Sequence, residues 1–366
     1  MTIETLQVNE DNRSAFWGQN YKAVLCEHCD WRYLVPRQYH LTHCPNCYQS
    51  KIVEIGEEVS EMSLFQMPEL YLPFQLTQKR IENSLENFAQ KIPFSPTDLN
   101  TVELQKRLRA LFLPMWLVDA GIQAKWKAEA GFDYQVISHQ ARYDDNQGGW
   151  DSREVKEGRI RWEPRLGTLQ RSYQNIPAPA LEEHNDLDRN LGGYDLHLSQ
   201  PFQLDIIEDC LVRLPNRSTQ DAWSDAKPAL QLAASEECRQ AASADHMRQF
   251  SWQATYLNQN WTILLLPVYS TYYLDDERRP ISILINGQNG KISGIKRASM
   301  KRAQHAALII LSVGGLVFLL SLIIAAISLL VPSILIISVI GIMIALLVAT
   351  AATIPLLNVW WFNKNQ

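Results

Sequence analysis

Residues 306–357 read AALIILSVGGLVFLLSLIIAAISLLVPSILIISVIGIMIALLVATAATIPLL, and this stretch decides how the chain is built. It contains no Asp, Glu, Lys or Arg, and Pro332 divides it into apolar runs of 26 and 25 residues. As helices, such runs extend about 37–39 Å, more than the ~30 Å hydrocarbon core of a bilayer. We therefore predict a transmembrane α-hairpin with a short turn at 328–333. A re-entrant wedge that does not cross the bilayer is the alternative.

Charges on either side of the apolar stretch predict its orientation. Four basic residues precede the first helix and Lys364 follows the second, whereas the turn carries no charge. Because Lys and Arg favour the cytoplasmic side, we expect an inner-membrane protein with two spans and both termini in the cytoplasm. The residues expected at the membrane interface are Lys301, Arg302, Trp360 and Trp361. The expected spans are 303–331 and 333–359, with a cytoplasmic end at 360–366.

Small residues recur at four-residue intervals in the second predicted span, at Gly341, Ala345 and Ala349. This spacing lets two helix backbones approach closely. We interpret the stripe as the packing face between the two spans of one hairpin, and the alternative is homo-oligomerisation through the same face. The apolar stretch contains no ionisable residue, so the sequence gives no indication of an ion or proton path.

The rest of the chain has the composition of a folded, acidic protein. Lys364 is the only charged residue after Arg302, so the first 302 residues hold 33 Lys and Arg and 39 Asp and Glu, a net charge of −6. This balance disfavours nucleic-acid binding by bulk charge, which needs a clustered excess of basic residues. The 35 Trp, Tyr and Phe residues exclude a disordered chain. Residues 1–20 lack the apolar region of a signal peptide and are expected to form a polar tail.

Four of the six cysteines form two CxxC pairs, Cys26-Glu-His-Cys29 and Cys44-Pro-Asn-Cys47. Each pair can make a tight turn that presents two thiolates to one side of a metal ion, and zinc prefers four such ligands at tetrahedral angles. The spacing predicts a zinc ribbon at 21–55 with one structural Zn²⁺. The metal would supply folding energy, on the order of 10 kcal/mol, to a segment too short for a large core. The thiolates also indicate a reducing compartment.

Histidines and aromatic residues near the cysteine pairs have two interpretations. The histidines could compete as ligands, and we interpret them instead as residues at the surface or beside the ligands. The aromatic side chains could stack on nucleic-acid bases, and we interpret them instead as the cover of the small core of the ribbon. These residues are His28, His40 and His43, and Trp31, Tyr33 and Tyr39.

Residues 65–297 are expected to form a cytoplasmic α+β domain. A first helix is predicted at 78–91, where Thr77 can act as N-cap and apolar residues recur at helical spacing. A second helix is predicted at 98–113. The Ala-rich segment 219–248 is also helix-prone, although Pro228 should kink or restart the helix.

Two passages of this domain share an apolar-Leu-Pro-x-aromatic opening followed by strand alternation, one from Leu113 and one from Leu266. We interpret them as two related strand-hairpin units in halves at about 65–180 and 195–297. The Asn-Gly pairs at 286–290 predict a chain reversal in the second unit. The charged and Gly-containing residues 138–170 predict a long exposed hairpin or loop.

A search for catalytic residues in the sequence finds no recognisable pattern. The turn at 287–291 (Gly-Gln-Asn-Gly-Lys) lacks the first glycine and the Ser or Thr of a phosphate-binding loop. The acidic run 275–277 could hold a cation, but we interpret it as a solvated hairpin tip. Cys210 and Cys238 have no partner at a metal-binding spacing and are expected to be free cysteines of the core. The chain is therefore not expected to be an enzyme.

Four further segments complete the pattern together with the CxxC pairs and the apolar hairpin. They are Tyr71-Leu-Pro-Phe-Gln-Leu, Leu113-Pro-Met-Trp-Leu-Val-Asp, Leu266-Pro-Val-Tyr and Ile285-Asn-Gly-Gln-Asn-Gly-Lys-Ile-Ser-Gly. This order resembles the bacterial TFIIB-type zinc-ribbon membrane proteins, which are often described as helicase-like or primosomal; Asn289 stands where they usually have Thr. The resemblance implies a cytoplasmic domain at the inner leaflet and partners of the phage-shock-protein-A (ESCRT-III-like) or flotillin-like type in handling envelope stress. It implies no catalytic residues.

Three functions remain open at this point. The first is a membrane-anchored adaptor, in which the hairpin fixes the location and the β-rich domain and ribbon dock partner proteins. The second is a membrane-tethered protein that binds nucleic acid through its ribbon. The third is an enzyme or an auxiliary subunit of a membrane enzyme or transporter. We favour the adaptor because it needs neither a catalytic pattern nor an excess of basic residues.

Overall fold

The computed structural model describes residues 20–55, 67–144, 149–208, 210–328 and 335–366. Most of the predicted polar tail and of the predicted turn at 328–333 therefore lie outside the described residues. The chain divides into two compact units. Unit 1 comprises Met1–Pro114, Glu183–Leu214 and Leu265–Gln366, and unit 2 comprises Met115–Glu182 and Pro215–Leu264. Each unit draws on both halves predicted at 65–180 and 195–297, and the relation between those halves stays a prediction.

Strands and helices both contribute, so the structure has the mixed architecture that the sequence predicts. The strands are β1 (Tyr21–Cys26), β2 (Arg32–Pro36), β3 (Ile52–Glu54), β4 (Leu70–Tyr71), β5 (Arg109–Asp144), β6 (Gly149–Pro179), β7 (Gln200–Pro201), β8 (Leu211–Arg213), β9 (His246–Leu274), β10 (Pro280–Asn286) and β11 (Ile292–Gly294). The helices are α1 (Gln78–Gln90), α2 (Thr101–Lys106), α3 (His184–Leu191), α4 (Thr219–Ala241), α5 (Met300–Ser328), α6 (Leu335–Ala351) and α7 (Ile354–Lys364). Short 3₁₀ turns lie at Leu196–Leu198 and Leu204–Ile207.

The described strands pair into a large mixed sheet with the order β11-β10-β9-β5-β8-β2-β1-β3. In unit 1, β1 pairs antiparallel with both β2 and β3, and β2 pairs antiparallel with β8. The beginning of β5 is parallel to β8, with Leu111 opposite Leu211. The predicted ribbon is therefore the end of a larger sheet, because β8 joins it to the rest of unit 1.

Helix α1 packs on the sheet of unit 1 as its periodicity predicts. Thr77 caps the helix by accepting a hydrogen bond from the backbone N–H of Arg80. Ile81, Leu85 and Phe88 are buried on one face of the helix. They form one core cluster with side chains from α2, β9 and β10, and this cluster also includes Ala303 of α5 and Val359 of α7.

Helices α5 and α7 are thus joined directly to the core of unit 1. The side chain of Asn363 accepts a hydrogen bond from the backbone N–H of Ala298 at 2.8 Å and donates one to the Ala298 carbonyl at 3.0 Å. Ser299 caps α5, since its hydroxyl accepts a hydrogen bond from the backbone N–H of Arg302. These contacts fix the beginning of α5 beside the end of α7.

The C-terminal helices are long and apolar enough to cross a membrane. The spans Met300–Ser328 and Leu335–Lys364 have a mean hydropathy of 2.9 and 2.8, and only 17% of the most apolar window of each is buried. A core helix of a soluble protein would be mostly buried, whereas these helices expose many large apolar side chains. The helix bounds differ by two to five residues from the predicted spans, and the second span divides into α6 and α7.

Unit 2 consists of a long antiparallel hairpin, part of β9 and helix α4. Strands β5 and β6 stay in register from Met115 opposite Pro179 to Asp144 opposite Gly149, with one register shift between Val118 and Ala120. The predicted exposed hairpin at 138–170 is therefore the distal part of a much longer one. Helix α4 buries small and apolar residues at four-residue intervals: Ala222, Ala226, Leu230, Ala234 and Cys238.

Two predicted helices differ from the structure. The helix predicted at 98–113 ends at Lys106, and strand β5 begins at Arg109. The apolar run Leu111–Leu113 fits a helical face, but it is also typical of a fully buried strand, which it forms beside β8. In α4 the helix neither restarts nor stops at Pro228. Packing of its small residues on the sheet of unit 2 outweighs the local preference of proline.

Candidate metal centre

The four cysteines of the two CxxC pairs lie together in unit 1. Cys26 ends β1, Cys29 lies in the turn between β1 and β2, and Cys44 and Cys47 lie in the loop before β3. Their sulfur atoms all lie within 4.8 Å of one another. The sulfur of Cys26 is 3.5 Å from that of Cys47, and the sulfur of Cys29 is 3.6 Å from that of Cys44. This group could hold one metal ion.

The two CxxC turns have the same backbone hydrogen bonds. In the first turn the N–H of Cys26 donates to the Trp31 carbonyl, and the N–H of Asp30 donates to the Cys26 carbonyl. The second turn repeats both bonds eighteen residues later, with Cys44 in the place of Cys26. Asp30 and Tyr48, which occupy the same place in the two turns, have positive φ values of 57° and 56°. The repeated turn explains how each pair brings two sulfur atoms to one point.

Tyr48 anchors the second turn on strand β9. A positive φ is unusual for a bulky residue, so contacts elsewhere must offset its cost. The Tyr48 ring lies 4.1 Å from the ring of Tyr272, measured between centroids. Its hydroxyl contacts the Ser270 hydroxyl, and Ser270 in turn donates a hydrogen bond to the Pro45 carbonyl. Burial raises the pKa of the Tyr48 hydroxyl, which stays protonated at neutral pH.

Without a cation, two of the four thiols resist ionisation. The hydrogen bond with the Cys44 thiol and burial raise the pKa of Cys29, and burial raises the pKa of Cys47 to about 12. A divalent cation among the sulfur atoms would reverse this preference, because metal ligation deprotonates thiols. The donor set and its geometry therefore fit a metal ion.

A buried arginine from a distant part of the sequence lies beside the cysteine cluster. Arg213 of β8 is only 2% exposed, and its guanidinium carbon lies 3.4 Å from the centroid of the Trp31 ring. It forms an ion pair with Glu183, while its Nε and Nη1 atoms have no hydrogen-bond partner among the described residues. Burial lowers the pKa of Arg213. This cation can offset the negative charge of a four-thiolate metal site.

Tyr33 completes the surroundings of the cluster. Its hydroxyl lies 3.3 Å from the sulfur of Cys44, and its ring is fully buried. Sequence reasoning did not assign a role to Arg213 or to this hydroxyl. The CxxC spacing is local, whereas Arg213 reaches the ribbon only through the pairing of β8 with β2, for which the sequence carries no local signal.

The aromatic residues near the cysteines are buried or half-buried, and the histidines are exposed, as the interpretation above expects. Trp31 and Tyr33 are buried, at 8% and 0% exposed, so their faces are not open for base stacking. Tyr39 is half-buried, and its hydroxyl accepts a hydrogen bond from Arg109. The histidines are exposed and lie outside the cysteine group: His28, His40 and His43.

The predicted small-residue stripe lies partly on the contact between α5 and α6. Ala345 is buried, and a side chain at Gly341 would overlap Ser321 of α5. Ala349, by contrast, is exposed. Small residues that recur every seven positions line the contact instead. This repeat is visible in the sequence, but the prediction considered only a repeat of four. Its members are Ala307, Gly314, Ser321 and Ser328 on α5, and Ser338, Ala345 and Ala352 on the second span.

The residues predicted at the membrane interface are all exposed near the ends of the apolar helices. Trp360 and Trp361 are 54% and 64% exposed. Lys301 donates from its backbone N–H to the side chain of Asp276 at 2.9 Å, and Arg302 donates to the Ser95 carbonyl at 2.6 Å. Their placement at a lipid interface stays a prediction.

The acidic run 275–277 corrects one expectation. Asp275 is buried rather than solvated, and it accepts hydrogen bonds from the backbone N–H groups of Glu277 and Arg279. Asp276 accepts a hydrogen bond from the Ser299 hydroxyl at 2.6 Å. Two of the three carboxylates therefore hold the β9–β10 turn and the beginning of α5, because each meets backbone N–H groups that lack other partners.

Comparison with known proteins identifies no relative. No family model, curated protein or solved structure matches the chain. The resemblance to TFIIB-type zinc-ribbon membrane proteins therefore stays a prediction, and the function must be argued from the chain itself.

Proposed function

We propose that the chain is a membrane-anchored adaptor, in which a zinc ribbon stabilises a cytoplasmic body and the apolar hairpin holds that body at the inner membrane. The body docks partner proteins and performs no chemistry of its own. Three groups of observations support this proposal: the donor set of the metal centre, the surface of the C-terminal helices, and their common attachment to unit 1.

The donor set favours zinc. Four thiolates at Zn–S bonds of about 2.3 Å in a tetrahedron have sulfur atoms about 3.8 Å apart. The observed distances between the two CxxC pairs, 3.5 Å from Cys26 to Cys47 and 3.6 Å from Cys29 to Cys44, are close to this value, and all four sulfur atoms lie within 4.8 Å of one another. Cys26, Cys29, Cys44 and Cys47 would fill every coordination position. A zinc ion held in this way stabilises the fold and has no position for a substrate.

The helices favour a transmembrane hairpin over a soluble bundle. Their exposed apolar surface would be costly in water and is expected in lipid. The basic residues before α5 and in its first turn support a cytoplasmic location for both termini, where thiolates also stay reduced. Aromatic residues at 360–362 lie where an interfacial belt is expected.

The observation that carries the proposal is that the cysteine cluster and the apolar helices belong to the same compact unit. Unit 1 contains both, and the buried cluster of α1 and β9–β11 includes residues of α5 and α7. A metal that stabilises unit 1 therefore also stabilises the base of the anchor. Unit 2 contains neither feature, so its surface is available for protein docking.

The partner class belongs to the proposal as well. The resemblance implies membrane-remodelling proteins of the phage-shock-protein-A type or flotillin-like proteins. The experiment places a photo-cross-linking residue at Lys125 or Leu232 of unit 2, or at Glu86 of unit 1, in the full chain in native membranes. All three positions are exposed. We expect a discrete cross-linked partner from unit 2 and none from Glu86.

The metal is tested on the same membranes with two cysteine variants. Cys29→Ser should lose the bound zinc and the cross-linked product, whereas Cys210→Ser, which changes a cysteine outside the cluster, should keep both. Absence of any product from both positions of unit 2 would contradict the adaptor. A purified chain that stays in solution without detergent would contradict the anchor.

A further inference from the structure

A cavity of about 970 Å³ opens in unit 1 beside β10, β11 and the metal centre. Three cationic side chains line it, from Arg279, Lys296 and Arg297. None of the lining side chains, all of which belong to the described part of the chain, is a carboxylate. Cys47 contributes to the wall, so the cavity adjoins the cysteine cluster. A concave surface of this kind suits an anionic group.

A buried carboxylate outside the cavity orients two of the cations. Asp275 accepts a hydrogen bond from Arg279 Nε at 2.9 Å, and its Oδ2 lies 3.7 Å from Arg297 Nη1. Glu277 also pairs with Arg279, at 2.8 Å. Lys296 forms no ion pair with any residue that the structure describes. Three cations thus meet two carboxylates, and Cys47 adds one side of the proposed four-thiolate site, whose net charge is −2, to the wall. Both guanidinium groups remain about half exposed.

The cavity lies close to the beginning of the apolar helices. Arg297 precedes the first residue of α5 by three positions, a distance of at most about 10 Å of extended chain. Residues 275–302 contain seven basic and three acidic residues, a net charge of +4, whereas residues 1–274 have a net charge of −10. The positive charge of the body is therefore concentrated where α5 begins.

The walls of the cavity combine this charge with apolar surface. Ile295 is 59% exposed beside Lys296, and Phe88, Ile281 and Ile292 also line the cavity. A free inorganic anion would gain nothing from apolar walls. A lipid headgroup presents a phosphate next to glycerol and acyl carbons. The phosphate can contact the cationic side chains while these carbons contact the apolar walls.

We propose that this cavity binds the headgroup phosphate of an anionic glycerophospholipid. Lys296 and the two guanidinium groups contact the phosphate, and Ile295 contacts the glycerol and the first acyl carbons. The inference rests on the membrane anchoring proposed above, because only an inserted chain holds the cavity at headgroup depth. It adds a lipid preference that anchoring by apolar helices alone does not require.

The test uses the full, metal-loaded chain in liposomes of phosphatidylcholine with or without phosphatidylglycerol. Flotation of the liposomes measures insertion. Native mass spectrometry after extraction in a neutral detergent measures the retained phosphatidylglycerol, with inorganic phosphate at millimolar concentration as competitor in a parallel sample. The variant is Lys296→Gln with Arg297→Gln. The matched control is Lys125→Gln with Lys127→Gln, which removes the same charge from exposed positions of unit 2.

We expect the Lys296 and Arg297 variant to lose about thirtyfold in phosphatidylglycerol affinity, or about fivefold for each cation removed. The control should retain the lipid like the native chain, phosphatidylcholine should not be retained, and inorganic phosphate should not compete. Equal retention by the two double variants would overturn the proposal, and so would displacement of the lipid by inorganic phosphate. A chain that does not float overturns the anchor as well, whereas a chain that floats without lipid preference overturns the lipid site alone.

Discussion

Arg213 is a cation in a place where water cannot solvate it. Its guanidinium group stacks on Trp31, pairs with Glu183 and leaves two nitrogen atoms without a hydrogen-bond partner among the described residues. A buried charge with incomplete hydrogen bonding is costly unless a strong field favours it. A metal bound by four thiolates carries a net charge of −2 and supplies such a field.

We expect Arg213→Met to weaken the metal centre. The variant removes the buried cation and its ion pair with Glu183, whose side chain is 29% exposed. Loss of a group that supports the ligands should lower zinc affinity about tenfold, measured by competition with a chelator. The control is Arg171→Met, which removes an exposed guanidinium group of unit 2. Equal zinc affinity in the two variants would show that Arg213 serves packing alone.

Asp98 gives a second prediction, on the pH dependence of stability. Both of its oxygens accept hydrogen bonds from Arg107, at 2.5 and 2.8 Å, and Oδ2 also accepts one from the backbone N–H of Leu274. The hydrogen bonds from the Arg107 guanidinium hold the pKa of Asp98 below its usual value. The folded state therefore gains stability above the unfolded pKa of about 3.9, and this gain is lost as the pH falls through the lower folded pKa.

Asp98→Asn should accordingly reduce the free energy of unfolding at pH 7 by about 1–2 kcal/mol, since a hydrogen bond to a charged group is lost. The difference from the native chain should begin to shrink below about pH 4, where the unfolded chain takes up a proton at Asp98, and should be smallest below the lower folded pKa, where the native carboxylate is protonated as well. Denaturant unfolding in detergent at both pH values measures it. Acid effects on the thiolates cancel because they act on both proteins. A difference that stays constant with pH would contradict the assignment.

At the scale of elements, the contact between α5 and α6 depends on side chains that are small. Residues of this kind recur every seven positions on both helices, the spacing of helices that stay in contact over many turns. A Cβ at Gly341 would overlap Ser321, and one at Gly314 would lie 3.1 Å from Val348. Gly315, in contrast, has open space around it.

These two glycines make a matched pair of variants. Gly341→Ala should destabilise the hairpin by about 1–3 kcal/mol, because the added methyl group forces the backbones apart. Gly315→Ala should be neutral or slightly stabilising, since alanine favours the helix. The measurement is the melting temperature of the helical circular dichroism signal in detergent. Similar melting temperatures for the two variants would contradict the packing described.

The elements that the sequence predicts well are those whose signal is local. Helix α1 follows from a cap at Thr77 and from apolar residues at helical spacing, and the cysteine cluster follows from two CxxC turns. The sequence predicts a helix over the first part of strand β5, because the buried run beside β8 has no alternation of apolar and polar residues. The sequence also does not predict that β5 is 36 residues long, since charged residues occupy much of its exposed part and hide the alternation of a strand. Arg213 could not be predicted, because only the pairing of β2 with β8 brings it to the cysteines.

For the whole molecule, the cysteine cluster and the basic residues must both be compatible with one orientation in the membrane. The thiolates need a reducing compartment, and the seven basic residues at 275–302 need the cytoplasmic side of the membrane. Unit 1 contains both groups, so one orientation satisfies them together. Only the connection between the two spans is then expected on the outer side.

Labelling of intact cells with a membrane-impermeant thiol reagent tests this orientation. Ser333→Cys, in the connection between the spans, should react in intact cells. Leu166→Cys should react only after the cells are opened, although this residue is 85% exposed in unit 2 and its thiol would be fully accessible to a reagent in solution. The native chain, which has no cysteine at either position, gives the background. Labelling of Leu166→Cys in intact cells would reverse the orientation, and it would remove the physical reason for a reduced, thiolate-bound metal, because the cluster in unit 1 would then face an oxidising compartment.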